Sequence, residues 1–454
     1  MRKFSFILGI GILLTITLLF STLAIAAFED WKIDWKQFAG THIEIGMVRH
    51  PMTDSLLPLI PEFEELTGID VGFEVLSEVQ FREKLLVDLA SGAGIYDIFN
   101  TGPRYSWKYY SSGWLQPLDD FLNNPKLTDA EAYDINDFFP NMIAAAKWTG
   151  EFGKGLGEGH LLHIPCQEEA YCLFYRKDIL EEAGIKVPET WDELYEAAVK
   201  LNDQTFAGKK IKGFVARGIR NEGPILVWIS QKLYSEGGRF FDENMNFVGN
   251  DAIGVETFEW CAKILQDAGP IGVSNFDWYD CMDGFAAGNY AFFIDADHMN
   301  VVFENPDSSQ VAGKVGYALC PPGKAGRASE AWYWSMAMSN FSKRKEAAWL
   351  FMEWATSKDI MQKTILKGNT DPVRKSVHYS PEVVDTFKKW GYYDMNEELT
   401  KYARNIHPPA PNMVEAMFRL GTAFQEVLLK QKTAQQALDD AKRDIDEMMA
   451  PFKK

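Results

Sequence analysis

The sequence predicts an α/β protein of two lobes, each an open and mostly parallel sheet flanked by helices. Two observations carry this prediction. The chain has 454 residues, more than a single compact core usually holds. Through residues 41–99, short apolar runs with strand character alternate with amphipathic helical segments. This alternation is typical of parallel strands joined by crossover helices.

The first 26 residues have the pattern of a signal peptide. Arg2 and Lys3 precede an apolar run over residues 4–23, and the segment from Ala24 to Ala26 supplies the small residues that a signal peptidase requires. We expect cleavage near Ala26 and export to the periplasm. The alternative is an uncleaved membrane anchor, because the apolar run is long enough to span a bilayer.

The predicted elements of the first lobe follow in order. Residues 41–48 form a strand, a helix then ends at Gly68, and residues 69–76 form a second strand. A helix over residues 78–90 leads to a buried strand at residues 96–99. Open parallel sheets bind ligands at the carboxyl ends of their strands, so the residues after the first and third strands are candidate contacts.

Later segments give further local signals. The glycine-rich residues 153–159 lack the Lys-Ser/Thr of a phosphate loop and predict a hairpin turn. Residues 164–175 predict one long extended segment. Thr190 and Glu193 have the spacing of a capping box at a helix start, and a second such box begins the C-terminal helix at Thr433.

Composition narrows the class of partner. The formal charge of −18 disfavours nucleic acid and anionic lipid, which both need basic surfaces. Aromatic residues make up 14% of the chain, with 14 Trp, and this indicates a surface that stacks on a flat, partly apolar ligand.

The five cysteines predict neither a metal site nor a cofactor, because no CxxC motif occurs. Cys166 and Cys172 lie on one extended segment and are ~20 Å apart at the rise of a strand, beyond disulfide reach. Cys261 and Cys281 are the one pair that we consider for a disulfide.

Several segments occur together in a family order. They are IPEFEELTGIDVGFEVL, FREKLLVDLASGAGIYDIF, IPCQEEAYCLFYRKDILEEAGIKVPETWDELYEAAVKL, FAAGNYAFFID, MSNFSKRKEAAWLFMEWATS, GNTDPVRKSV and AQQALDDAKRDI. On these segments the chain resembles the family 1 extracellular solute-binding proteins of ABC transporters, the maltose-binding-protein-like group. The resemblance covers nearly all of the chain that follows the leader.

The resemblance implies a two-lobed periplasmic-binding-protein-like fold of type II, joined by a multi-stranded hinge. It places lobe 1 at residues 28–168 and 320–376, and lobe 2 at residues 169–319 and 377–454. It also implies a protein that is not an enzyme, that captures a mono- or oligosaccharide between the lobes, and that delivers it to membrane permease subunits. Lobes that must hinge freely favour a monomer.

A sugar presents an apolar face and a rim of hydroxyls, so its site pairs aromatic rings with polar groups. The candidates follow strand ends, lie on the hinge strand or match contact positions of the relatives. They are Arg49, His50, Thr101, Arg104, Tyr105, Tyr171, Trp228, Trp278, Asp295, Asp297, His298, Trp332, Trp334 and Arg374.

For some of these candidates the sequence also predicts a position or a role. Trp278 lies among acidic residues in a segment that we expect to be an exposed loop, and the alternating Trp332 and Trp334 share one face of a strand. By the resemblance, Thr101 and His298 stand where the maltose-binding relatives carry Trp, which disfavours maltodextrins. Tyr171 and Arg374 each have an alternative to ligand contact. Tyr171 could be a core residue, and Arg374 could form a structural salt bridge.

Two other functions are alternatives to sugar binding. A secreted carbohydrate hydrolase would need two convergent carboxyls, whereas the adjacent Glu168 and Glu169 point to opposite faces of a strand. A binder of a non-sugar solute on the same fold stays open. The acidic surplus would suit a polyamine, while Arg49, Arg104 and Arg374 would suit a glycerol phosphate.

Overall fold

The computed structural model describes residues 27–220 and 225–453, so the predicted signal peptide lies outside the described residues. The strands are β1 (His42–Val48), β2 (Asp70–Leu76), β3 (Ile98–Thr101), β4 (Lys147–Trp148), β5 (His160–Leu161), β6 (Ile164–Arg176), β7 (Thr205–Phe206), β8 (Lys209–Lys210), β9 (Lys212–Val215), β10 (Tyr290–Ala296), β11 (Val315–Ala318), β12 (Ser329–Met338) and β13 (Ala403–Arg404).

The α-helices that surround them are α1 (Pro51–Leu56), α2 (Ile60–Thr67), α3 (Glu78–Ser91), α4 (Pro103–Ser111), α5 (Asp119–Leu122), α6 (Ala130–Tyr133), α7 (Pro140–Ala145), α8 (Lys177–Ala183), α9 (Trp191–Leu201), α10 (Leu226–Ser235), α11 (Ala252–Ala268), α12 (Trp278–Ala286), α13 (Asn300–Phe303), α14 (Lys345–Ala355), α15 (Lys358–Thr364), α16 (Lys375–His378), α17 (Pro381–Trp390), α18 (Tyr393–Leu399), α19 (Met413–Leu428) and α20 (Ala434–Met449). Within the described residues, no helix has the length and apolar character needed to cross a membrane.

One large sheet organises the molecule, in the strand order β2-β1-β3-β12-β6-β10-β9. As predicted, β1 is parallel to β2 and β3, and β9 is parallel to β10. The central pairs β3–β12, β12–β6 and β6–β10 are antiparallel, so the sheet is mixed rather than mostly parallel. The reason is that β6 carries the chain from one half of the sheet to the other, while β12 carries it back.

The crossing strand β6 belongs to both halves of the sheet. Its residues 164–170 pair with β12, and residues 171–175 pair with β10. We call the side of β1, β2 and β3 the first half and the side of β9, β10 and β11 the second half. The residue bounds of the two lobes stay a prediction.

The structure contains several of the helix caps that the sequence predicts. Gly68 ends α2 with a φ of 71°, and Thr433 and Gln436 form a complete capping box. At α9, the Thr190 side chain accepts from the backbone N–H of Glu193, but the Glu193 carboxylate accepts from the Glu189 N–H instead of Thr190. The predicted box is therefore only half formed.

The five cysteines are all buried and unpaired. Cys261 and Cys281, the candidate disulfide pair, form no disulfide. Burial raises the pKa of the thiols, to about 12 for Cys166 and Cys320, so these groups stay protonated and behave as small apolar side chains.

Candidate functional site

A small cavity of about 20 Å³ lies where the two halves of the sheet meet. Its walls come from the start of α3, from α4, β6, β12 and α12, and from residues that follow β9 and β10. The side chains that line it are Glu78, Arg104, Tyr105, Glu169, Tyr171, Arg217, Val227, Trp278, His298, Trp332 and Trp334.

Aromatic rings form much of this wall. Trp332 and Trp334 lie on the same face of β12, as predicted, with ring centroids 5.7 Å apart in an edge-to-face arrangement. Tyr105 meets Trp332 edge-on at 5.9 Å. Such rings offer apolar faces on which the C–H groups of a ligand can pack.

Trp278 lies on the wall but not in the exposed loop that was predicted. It is the first residue of α12 and is only 5% exposed. The correction has a local cause, because the acids around it, Asp277 and Asp280, form a capping box that starts the helix. The acidic neighbours indicated a helix end rather than a solvated loop.

Both arginines of the cavity are already paired with carboxylates. Arg104 Nη1 lies 2.5 Å from Glu330 Oε1, and Arg217 donates from Nε and Nη2 to Asp295 at 2.8 and 2.5 Å. Burial alone would raise the pKa of Glu330, but the charges of His407 and Arg104 outweigh it and hold the pKa at about 2. The two pairs thus place little net charge in the cavity.

The Glu169 carboxylate is held by two donors. Its Oε1 accepts from Trp334 Nε1 at 2.6 Å and from His50 Nε2 at 3.1 Å. The His50 tautomer follows from its other nitrogen, since Nδ1 accepts from the Met52 N–H at the start of α1. A neutral ring then carries its proton on Nε2.

His50, Glu169 and His298 also form a group that could hold a metal ion, with ligand atoms all within 4.8 Å of one another. His-carboxylate sets of this kind suit Zn²⁺. The tautomer of His50 opposes this use, because the Nε2 that would bind the ion carries the proton. Metal binding would therefore require the helix cap at Met52 to break.

The structure brings half of the predicted candidates to the cavity wall. These are Arg104, Tyr105, Tyr171, Trp278, His298, Trp332 and Trp334. His50, Asp295 and Asp297 are buried directly behind them. His50 holds Glu169, and Asp295 holds Arg217. Asp297 accepts from the backbone N–H of Ala170 at 2.9 Å.

Arg49 and Thr101 lie outside this wall. Arg49 is exposed at the rim, where its guanidinium lies 4.7 Å from the Tyr279 ring centroid. Thr101 is buried as the last residue of β3. The neighbouring Gly102 faces Trp332, where a Cβ would come within 2.2 Å of the indole, so no larger residue fits there.

Trp228 and Arg374 do not line the cavity, because both side chains are fully buried elsewhere. Trp228 packs edge-on against Phe424 and donates to the Arg217 carbonyl at 3.0 Å. Arg374 donates to the Thr356 carbonyl at 2.6 Å, and its Nη1 lies 3.5 Å from Asp137 Oδ2, a structural salt bridge of the kind given above as its alternative role. Trp228 is buried because its surroundings are apolar, and Arg374 can be buried because backbone carbonyls accept its hydrogen bonds.

Glu169, Arg217 and Glu78 are wall residues that were not among the candidates. A signal for Glu169 was present, since it lies two residues before Tyr171 on β6 and therefore on the same face. Arg217 follows β9, but KGFV is too short and too mixed to be recognised as a strand. No sequence signal distinguished Glu78 from other acids at a helix start.

A wider pocket of about 290 Å³ adjoins the cavity and shares Glu78, Tyr105 and Trp278 with it. It reaches the surface past Arg220 and Phe418, with the guanidinium 5.4 Å from the ring centroid. The cavity therefore has an approach from solvent along α3 and α12.

Residues 50–362 match the family model of the bacterial extracellular solute-binding proteins. The chain belongs to this family. Members bind a solute and do not transform it, so this solute-binding protein is not an enzyme, and the hydrolase alternative is set aside. The family resemblance inferred from the sequence segments is confirmed.

Three similar proteins have bound or named ligands. The erythritol/L-threitol-binding protein of Mycolicibacterium smegmatis is 31% identical over 409 residues, 87% of this chain and 83% of the relative. A solute-binding protein structure from Agrobacterium radiobacter K84 with ribitol has a TM-score of 0.80 at 27% identity, covering 90% of this chain and 99% of that one. A structure from Agrobacterium vitis S4 with D-mannitol has a TM-score of 0.77 at 27% identity, covering 91% and 99%. The predicted two-lobed periplasmic-binding-protein fold is thereby confirmed.

Proposed function

We propose that this solute-binding protein captures a small uncharged polyol or monosaccharide in the cavity between the two halves of its sheet. The observation that carries the proposal is an aromatic-walled cavity in which both arginines are neutralised by buried carboxylates. A polyhydroxylated ligand matches such a wall, because its C–H groups pack on rings while its hydroxyls meet polar groups.

Cavity size favours a short ligand over an oligosaccharide. The cavity volume of about 20 Å³ gives room for about one water molecule, so even a short ligand must widen the cavity and an oligosaccharide would have to widen it far more. The similar proteins point the same way, since those named above bind erythritol, L-threitol, ribitol or D-mannitol. Each of these is an open-chain polyol.

The charge pattern disfavours the phosphorylated alternative. A glycerol phosphate needs cations with free donors, but Arg104 and Arg217 already pair with Glu330 and Asp295. Binding a dianion there would require those ion pairs to be exchanged or would leave the new charge poorly compensated.

The same proposal includes delivery to a membrane transporter. The similar proteins of known structure are described as ABC transporter solute-binding proteins. We infer that this protein serves permease subunits of an ABC importer from the periplasm, as a monomer whose lobes close on the ligand. The signal-peptide pattern of residues 1–26 supports export.

The test is a thermal-shift screen of the chain from residue 27 onward. Erythritol, L-threitol, ribitol, mannitol, monosaccharides, maltose, glycerol 3-phosphate and putrescine are each added at millimolar concentration. A ligand present at 100 times its Kd adds about 2.7 kcal/mol of stability. We expect a polyol or monosaccharide to raise the melting temperature by several degrees, and maltose to have no effect.

Isothermal titration then gives the Kd of each ligand that shifts the melting temperature. A shift confined to glycerol 3-phosphate or putrescine would contradict the proposed ligand class. Recovery of chemically unchanged polyol after overnight incubation is the control for the absence of catalysis.

A further inference from the structure

We propose that Glu169 and His298 together recognise two hydroxyls on adjacent carbons of the ligand, a vicinal diol. This inference rests on the proposed function and goes further, because it assigns the recognition to two specific side chains. Glu169 accepts a hydrogen bond from one hydroxyl. His298 forms a hydrogen bond with the neighbouring hydroxyl, either as donor or as acceptor.

Glu169 has one oxygen committed to the protein and one available. Oε1 takes the donors of Trp334 and His50, which fix the plane of the carboxylate. No described residue donates to Oε2, and the side chain lines the cavity. A carboxylate held in this way presents Oε2 to the ligand as a preoriented acceptor.

Glu169 also differs from Glu330 and Asp295 in having no described arginine as a partner for its carboxylate. Glu330 and Asp295 are paired with arginines, whereas Glu169 forms no ion pair with a lysine or arginine among the described residues and feels the Arg217 charge only from a distance. It is only 4% exposed. A buried carboxylate is stabilised by each added hydrogen bond, so an O–H donor from the ligand meets a strong acceptor.

His298 supplies the second contact. It is 1% exposed, and neither ring nitrogen has a hydrogen-bond partner in the part of the chain that the structure describes. Its Nδ1 lies 3.3 Å from Glu169 Oε1 but is not aligned for a hydrogen bond. Burial, together with the nearby His50 and Arg217, lowers the pKa of His298 well below 6.5, so the ring is neutral.

A neutral imidazole has one N–H donor and one bare acceptor, which match the two roles of a hydroxyl. Unpartnered buried nitrogens are rare in proteins, and a ligand hydroxyl is the group that the cavity can offer them. Because the Glu169 and His298 groups are neighbours, they suit hydroxyls on adjacent carbons rather than hydroxyls separated along the chain.

The test uses Glu169→Gln and His298→Phe in the chain from residue 27 onward. Glu169→Gln keeps an oxygen for Trp334 and His50 but replaces the ligand-facing acceptor by an N–H₂ donor. His298→Phe keeps a ring and removes both nitrogens. Titration calorimetry measures erythritol and ribitol against 1,4-butanediol and 1,3,5-pentanetriol, which lack vicinal hydroxyls.

We expect each variant to weaken erythritol or ribitol binding by about 10- to 100-fold, as for hydrogen bonds that involve a charged or buried partner. Binding of the analogues without a vicinal diol should change by less than about threefold, since they do not make these contacts. The matched control is Glu353→Gln, a buried glutamate in α14 outside the cavity wall, which should leave every Kd unchanged.

Equal losses for diols and for their analogues would overturn the inference, because the residues would then act only through packing. Unchanged diol binding in both variants would overturn it while leaving the proposed function standing. If the wild-type chain bound none of the polyols and sugars, the proposed function would fail first. If putrescine bound and Glu169→Gln abolished that binding, the carboxylate would serve an amine instead of a diol.

Discussion

Arg374 shows how a buried charge can be structural. Its Nε donates to the Thr356 carbonyl at 2.6 Å and its Nη1 to the Asp134 carbonyl at 3.0 Å. The guanidinium also lies 4.0 Å from the ring centroid of Phe138 and 3.5 Å from Asp137 Oδ2. These partners tie together the segment that follows α6, the end of α14 and the start of α16.

We therefore expect Arg374→Met to destabilise the protein without affecting ligand affinity. Breaking a buried ion pair costs about 3–5 kcal/mol, because the remaining partners lose their compensation. Chemical denaturation measures the change in the free energy of unfolding, and calorimetry at 15 °C measures affinity on the folded variant.

The matched control is Arg239→Met. Arg239 pairs with Glu243 at 3.2 Å on the surface, where an ion pair is worth no more than about 1 kcal/mol. A tenfold loss of affinity in folded Arg374→Met, with Arg239→Met unaffected, would restore Arg374 to the ligand site predicted from the sequence.

At the scale of elements, a group of carboxyls joins the strands that cross between the halves. The Tyr392 hydroxyl lies 2.7 Å from Asp297 Oδ2 and 3.0 Å from Asp371 Oδ1. One hydroxyl proton can serve only one of these oxygens, so the other contact requires a protonated carboxyl. Asp297 also accepts from the Ala170 N–H of β6, and the Asp371 carbonyl accepts from the Glu168 N–H.

Burial is the main cause that raises the pKa of each carboxyl in this group. It raises the pKa of Glu168 to about 8, with the charge of Asp297 adding to the effect. It also raises the pKa of Asp371, again with Asp297 contributing. The folded chain thus binds more protons than the unfolded chain between about pH 4 and the raised pKa values, so stability falls as pH increases through this window.

We expect the melting temperature to decline from pH 6.5 to pH 9, and Asp371→Asn to flatten that decline because an amide imitates the protonated carboxyl. Buried histidines such as His298 act with the opposite sign but below pH 6.5. The exposed Asp385→Asn is the matched control, and it should keep the slope of the wild type. A steeper decline in Asp371→Asn would contradict the assignment.

The same elements show what sequence alone could predict. Caps and strand periods are local, so Gly68, the Thr433 box and the shared face of Trp332 and Trp334 followed from spacing. The contacts of Asp371 and Trp228 join residues far apart in the chain, and no local pattern encodes them. In the candidate site, the sequence predicted wall residues at strand ends and on the hinge strand. It did not predict Glu169, because the role of Glu169 depends on which residues its face of β6 meets in the folded chain.

At the scale of the whole molecule, the two halves touch across the mouth of the cavity. Tyr279 donates to the Arg49 carbonyl at 2.5 Å, and Trp278 Nε1 donates to Glu78 Oε2 at 3.3 Å. Farther out, Lys108 pairs with Glu415 at 2.5 Å. The structure therefore has a closed arrangement, in which α12 and α19 of the second half contact α3, α4 and the residue after β1 in the first half.

If the ligand leaves only after these contacts open, weakening one of them should speed its release. Tyr279→Phe removes the hydrogen bond to Arg49 but keeps the ring under the guanidinium. A net hydrogen bond is worth about 0.5–1.5 kcal/mol, so the ratio of closed to open protein should fall about 2- to 12-fold. The dissociation rate should rise by the same factor, while the association rate changes little.

Stopped-flow tryptophan fluorescence can follow release, because three tryptophans line the cavity. The control is Tyr379→Phe, since Tyr379 is 52% exposed and lies outside the cavity wall. It should release ligand at the wild-type rate. If Tyr279→Phe did so as well, opening at this contact would not limit release, and the barrier would have to lie in the ligand's own hydrogen bonds with Glu169 and His298.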